Sequence, residues 1–144
     1  MIRFMFITVV LAAALGWLHP ARAGDFDGGQ ALLCRAAQGH EWHVGGNDKA
    51  FNPESVGLPH TFVIDFKNKR IRPTRESVVR KRTKIMGLGH VEDKLMLQGM
   101  DEGVEGVIDG IGWSMSLSSV NGAFVISAAG DRVGYVVFGS CVAK

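Results

Sequence analysis

Cys34 and Cys141 are the only cysteines in 144 residues, and they stand near opposite ends of the chain. If they bond to each other, the first and last structured segments must lie side by side, and few small folds allow that. Disulfides persist in oxidising compartments, so the fate of the two thiols depends on where the chain is delivered. Met1 to Ala23 answers that. Arg3 supplies a short positive start, Phe4 to Leu18 is an uncharged apolar run, and Ala21-Arg22-Ala23 places small residues at the two positions a signal peptidase reads. The apolar run is about 15 residues, short of the roughly 20 that span a bilayer. Residues 1–23 are therefore read as a cleaved signal, with no transmembrane anchor left after cleavage, and residues 24–144 as a single domain in the periplasm or outside the cell. A lipid anchor is not expected, because Leu33 stands where a lipoprotein signal needs a small residue before Cys34.

Cleavage removes Arg3 and Arg22 and no acid. The 16 basic residues fall to 14, equal to the 14 acidic ones, and the formal charge becomes zero. That excludes a generally basic nucleic-acid binder. About 120 residues remain, enough to bury one core. In an oxidising space the simplest fate of the two thiols is a Cys34–Cys141 disulfide. It would close a loop of over 100 residues, which the chain-entropy model values at about 4–5 kcal/mol. There is no Cys-x-x-Cys spacing to mark a redox-active pair.

The rest of the chain reads as strands and turns. Gly24 to Gly29 is a polar, glycine-rich lead-in, expected to fray. Ala31 to Ala37 carries Cys34 as a strand or short helix. Gly45 to Pro59 is a loop by its Gly-Gly-Asn-Asp, Asn-Pro and Leu-Pro pairs. Thr61–Phe66 and Arg70–Arg72 form a hairpin around Lys67-Asn68-Lys69, and Lys84–Val91 and Lys94–Met100 form another around Glu92-Asp93. Asn121-Gly122 then separates Trp113–Val120 from Ala123–Ala129, and Gly130-Asp131 separates that strand from Arg132–Cys141. With two-residue loops, Leu117 faces Ile126 and Tyr135, Met115 faces Ala128 and Val133, and Ser119 faces Phe124 and Val137. That side is large and apolar, and we expect Trp113, Met115, Leu117, Phe124, Ile126, Tyr135 and Val137 to share one core. The other side carries Ser114, Ser116, Ser118, Ser127 and Gly134, with Val125, Val136 and Phe138 toward one end. It is small rather than charged, which fits either a plain serine-rich surface or close approach by another segment or a partner. The expected fold is all-β, a small antiparallel barrel or sandwich of seven to eight strands tied by one N-to-C-terminal disulfide.

Charge is balanced in total but not along the chain. Lys67 to Lys84 holds nine basic residues against Glu76 alone, and Glu92 to Asp109 holds six acids against Lys94 alone. Consecutive blocks of opposite sign are read first as neighbouring strands that neutralise each other. The functional reading of the first block is an anion site, with Arg70, Arg72, Arg80, Lys81 and Arg82 as contact residues. The block has no interleaved aromatics for stacking bases, so nucleic acid is not the expected partner.

Catalytic signatures are sparse. His40-Glu41-Trp42-His43 is one residue short of the His-Glu-x-x-His spacing that sets two imidazoles on one helical face, and residues three apart on a strand point to opposite sides. Gly112-Trp113-Ser114-Met115-Ser116 lacks the second glycine of a nucleophile elbow. Gly87-Leu88-Gly89 has no following helix to hold a phosphate. Met86, Met96, Met100 and Met115 offer thioethers to copper(I), but this spacing reads as core filler.

Residues Gly112–Ser116, Asn121-Gly122, Ser127–Asp131 and Phe138–Cys141 resemble the C-terminal ends of small exported proteobacterial β-proteins of unassigned function. The plan of a signal followed by a disulfide-tied β-domain is also similar to the periplasmic lysozyme-inhibitor barrels. Their Ser-Gly-x-x-Tyr inhibitory loop has no counterpart here, since Ser127-Ala128-Ala129-Gly130 departs from it, and no functional residue carries over. The leading expectation is a non-enzymatic periplasmic binding or accessory protein, with no cofactor, that presents a basic patch to an envelope protein or an anionic envelope component. The alternative is a metal-dependent enzyme or metal carrier using His40, His43, His60 and His90.

Overall fold

The computed structural model describes residues 25–46, 48–102 and 110–144. The segment read as a signal, residues 1–23, lies outside them, as do Glu105 and Asp109 of the acidic block. The described residues form ten strands: β1 Leu32–His43, β2 Asp48–Phe51, β3 Thr61–Asp65, β4 Arg70–Pro73, β5 Thr83–Lys84, β6 Gly87–Val91, β7 Lys94–Asp101, β8 Ile111–Ser118, β9 Ala123–Ala129 and β10 Val133–Ala143. All pairings are antiparallel, in the order β5-β4-β3-β1-β10-β9-β8-β7-β6, with β2 added to β1. The sheet curls into a half-barrel. Its two end strands are consecutive in the chain, separated by Ile85 and Met86 alone. Ile85 N–H donates to Lys69 O beside β4 (2.9 Å) and Met86 N–H donates to Gln98 O on β7 (2.8 Å), so this short segment links one end of the curl to the other.

Ten strands replace the expected seven to eight for two local reasons. The segment Lys84–Val91 is split where it changes partner from β4 to β7. Part of the expected Gly45–Pro59 loop also pairs with the upper half of β1, as β2. What remains of that loop is a 3-10 turn at Pro53–Val56, capped by the Asn52 side chain accepting from Glu54 N–H and ended by Gly57 at φ 79°.

The core follows from alternation. Leu32, Cys34 and Ala36 of β1, Phe62 and Ile64 of β3, Leu95 and Leu97 of β7, Met115 and Leu117 of β8, Phe124 and Ile126 of β9 and Val137 of β10 are buried in one cluster. Trp113 packs against it half-buried. Cys34 and Cys141 are directly opposed in the β1–β10 register and bonded, their Cα atoms 3.9 Å apart.

The expected face is right except that Tyr135 is half-buried outside the core cluster, set edge-on against Phe51; the expected register is not. Leu117 pairs with Phe124, Met115 with Ile126 and Trp113 with Ala128; Ile126 pairs with Val137 and Ala128 with Tyr135. Both hairpins are displaced by two residues, and a displacement of two keeps every side chain on its side of the sheet. The cause is visible at the first turn. Ser119 leaves the ladder, because its N–H and its hydroxyl both donate to Asp93 O at 2.9 Å. Gly122, at φ 73°, donates to Ser118 O and accepts from Cys141 N–H, which widens the turn beyond two residues.

The lead-in is also corrected. Phe26 is 3% exposed and belongs to the core. A Cβ at Gly122 would lie 2.7 Å from its ring, and His90 Nε2 donates to Asp27 O at 2.9 Å. Residues 25–28 thus cross the lower end of the curl, from the β8–β9 turn to β6, and seal it.

Candidate functional site

Because consecutive strands alternate in direction, the segments 44–46, 52–60, 74–82 and 130–132 lie at one end of the sheet, and the turns 66–69, 92–93 and 119–122 at the other. This divides the five predicted contact residues. Arg70 stands opposite Lys84 across the β4–β5 pair and opposite Asp65 across the β3–β4 pair, and Ile71, between Arg70 and Arg72, is buried in the core. Alternation therefore puts Arg70 and Arg72 together on the outer face. Arg70 Nε lies 3.5 Å from an Asp65 carboxylate oxygen and is buried without a hydrogen bond. Arg80 is spent on the loop, donating to Thr74 O at 3.3 Å and Arg75 O at 3.1 Å. Lys81 Nζ bonds to Glu102 O and lies 3.6 Å from Asp101. Arg82 is exposed just before β5. Among the described residues, Lys81–Asp101 is the one ion pair joining the basic block to the acidic block. The described parts of the two blocks share no ladder, and Arg70 takes its partner from outside both.

Like charges directly opposite on a sheet are unfavourable. The Arg70–Lys84 juxtaposition, with Arg72 and Arg82 nearby, is therefore a cost that only Asp65 offsets within the described protein. Asp65 is shaped for that. Asn68 donates to its carboxylate from both backbone N–H (3.1 Å) and side chain (2.8–3.0 Å). Those bonds, followed by the charge of Arg70, hold the Asp65 carboxyl below its ordinary value. Lys84 was not among the expected contacts; its pairing with Arg70 spans the whole 74–82 loop and leaves no local sequence signal.

The four histidines have separate partners. His40 Nδ1 lies 3.3 Å from Asp48 Oδ1, and its ring stacks on Trp42. His43 Nε2 lies 3.4 Å from Glu41. His60 accepts from Arg35 Nε at 3.0 Å, and His90 bonds to Asp27 O. Among the described residues no group of three or more His, Cys, Asp or Glu side chains is placed to hold a metal ion. Met115 is core filler as expected, whereas Met86 and Met100 are exposed.

The serine face is a second feature. Across β10, β9, β8 and β7 the outward rows read Gly134–Ala129–Gly112–Met100, Val136–Ser127–Ser114–Gln98 and Phe138–Val125–Ser116–Met96. None of these side chains carries a formal charge. A shallow concavity of about 580 Å³ lies over the first two rows, with Met86 at its edge. Ser114 and Ser127 share a hydrogen bond of 2.8 Å in its floor.

No protein-family model, curated protein or solved structure matches this chain. The fold and the two surfaces therefore define the class of protein: a disulfide-tied, curled antiparallel β-domain with a cationic outer face on β4–β5 and an uncharged one on β7–β10. Among the described residues no helix is long and apolar enough to cross a membrane.

Proposed function

We propose that the chain is an exported, non-enzymatic binding protein that holds an anionic component of the cell envelope on the outer face of β4–β5. The observation that carries this reading is the Arg70–Lys84 pair, with Arg72 and Arg82 beside it and, among the described residues, the acidic block paired with the basic one through Lys81 alone. A phosphate or carboxylate bridging these cations would relieve their mutual repulsion, and arginine's planar fork suits such bidentate contacts. The disulfide supports delivery to an oxidising compartment. The signal-like segment supports the same destination.

The test is co-sedimentation of the protein with phosphatidylglycerol-containing vesicles and with pure phosphatidylcholine vesicles, and titration with a soluble anionic polysaccharide. Binding to at least one anionic probe, weakened by salt and reduced at least tenfold in the double variant Arg72→Gln/Arg82→Gln, is expected. Equal binding by the variant, or binding to neither anionic probe, overturns the reading.

A further inference from the structure

We infer that the concavity over β7, β8 and β9 is a second binding site, and that its ligand class is a neutral oligosaccharide. This goes beyond the anion-binding reading and does not rest on it. The chemistry of the lining selects the ligand by elimination. Among the lining residues, Gln98, Ser114 and Ser127 are polar, and each both donates and accepts hydrogen bonds. Ser114 and Ser127 spend one hydroxyl proton on each other, leaving the second proton and free lone pairs for a ligand. A hydrocarbon seated there would strand those groups. A charged ligand would lose water without gaining a counter-charge, because the outward rows bear none. What remains is an uncharged molecule dense in hydroxyls that also has apolar faces, for the Met86 and Met100 side chains and for the floor of Gly87, Gly112 and Ala129. Sugar rings have that composition.

Shape and size point the same way. The volume lies within the range of roughly 300–1,000 Å³ usual for small-molecule sites. A second copy of the chain is a poorer occupant. Three rows by four strands span about 14 Å each way, a few hundred Å², against the roughly 800 Å² per partner of a stable protein interface. The row through Gly112 and Ala129 continues across Gly134 to Trp42 of β1, a residue 45% exposed. A Cβ at Gly134 or Gly112 would meet nothing within 4 Å, so the path along the row is open, and an extended chain of several sugar units fits it better than a single ring.

The experiment is titration of the full protein with cellotetraose and with tetra-N-acetylchitotetraose, followed by amide chemical shifts, with octanol as an apolar control. Shifts confined to residues 98–100, 112–114 and 127–129 with at least one saccharide are expected. Gly112→Leu fills the floor without backbone conflict and should weaken binding at least tenfold. Gln98→Ala should weaken it severalfold, both variants keeping the wild-type melting temperature. Arg72→Gln/Arg82→Gln should bind the saccharide as wild type does, which separates this site from the cationic face. Absence of localised shifts with both saccharides, the same shifts from octanol alone, or unchanged affinity in Gly112→Leu and Gln98→Ala overturns the inference.

Discussion

Gly99 lies directly beneath the indole of Trp113. A Cβ at position 99 would clash with that ring and stand 2.5 Å from Lys84 O. The two residues are register partners on β7 and β8, and Trp113 Nε1 reaches on to donate to Thr83 Oγ1 at 3.3 Å. Gly99 thus lets β5 lie against β7 where the chain changes partners. Gly99→Ala should destabilise the fold by about 1–3 kcal/mol, as overpacking does, because one of the atoms in the way is backbone and cannot rotate aside. Denaturant unfolding measures this; a loss under 0.5 kcal/mol would mean that the β5 segment adapts freely.

The core face of the C-terminal meander gives the second prediction. Leu117 is fully buried and Ser116, one residue before it, is on the outer side. Leu117→Ala should cost about 2–5 kcal/mol and Ser116→Ala within about 0.5 kcal/mol. Equal costs in chemical unfolding would contradict the assigned faces.

Phe26 provides a third. Its ring is buried against the β8–β9 turn, so Phe26→Ala should cost about 3–5 kcal/mol. Trimming the chain before Gln30 should do comparable damage. A frayed lead-in would show neither effect in thermal unfolding.

Thiol titration of the unfolded, unreduced protein should find no free cysteine, since Cys34 and Cys141 are bonded. Cys34→Ser/Cys141→Ser should lose about 2–5 kcal/mol. Binding by the variant should persist wherever it still folds, because neither cysteine belongs to either outer face.

The Asp65 carboxyl predicts a pH dependence of defined sign. A carboxyl held below its ordinary value of 3.8 contributes stability that is complete above that value. The contribution disappears as the pH falls through the lowered one. Asp65→Asn should therefore melt below wild type at neutral pH, and the gap should close in acid. A gap that persists unchanged well below pH 3.8 would assign the effect to something other than the carboxylate.

Local pattern determined which residues face inward. Alternation along 113–120, 123–129 and 132–141 put Met115, Leu117, Phe124, Ile126 and Val137 on one side, and a period of two survives any even slip in register. The cysteine positions likewise required the first and last strands to meet, and they do. Register itself was decided by the tertiary structure: Ser119 finds a better acceptor in Asp93 O, twenty-six residues away, than in its own hairpin. The same holds for Phe26, whose burial depends on a cavity that only the assembled curl provides. The charges make the point most plainly. Their clustering is written in the chain, and the short hairpin over residues 66–69 already sets Arg70 beside Asp65; whether Arg70 also meets Lys84 or the acidic block depends on strand pairings across long loops, where local sequence carries no signal and the sum of distant contacts chooses.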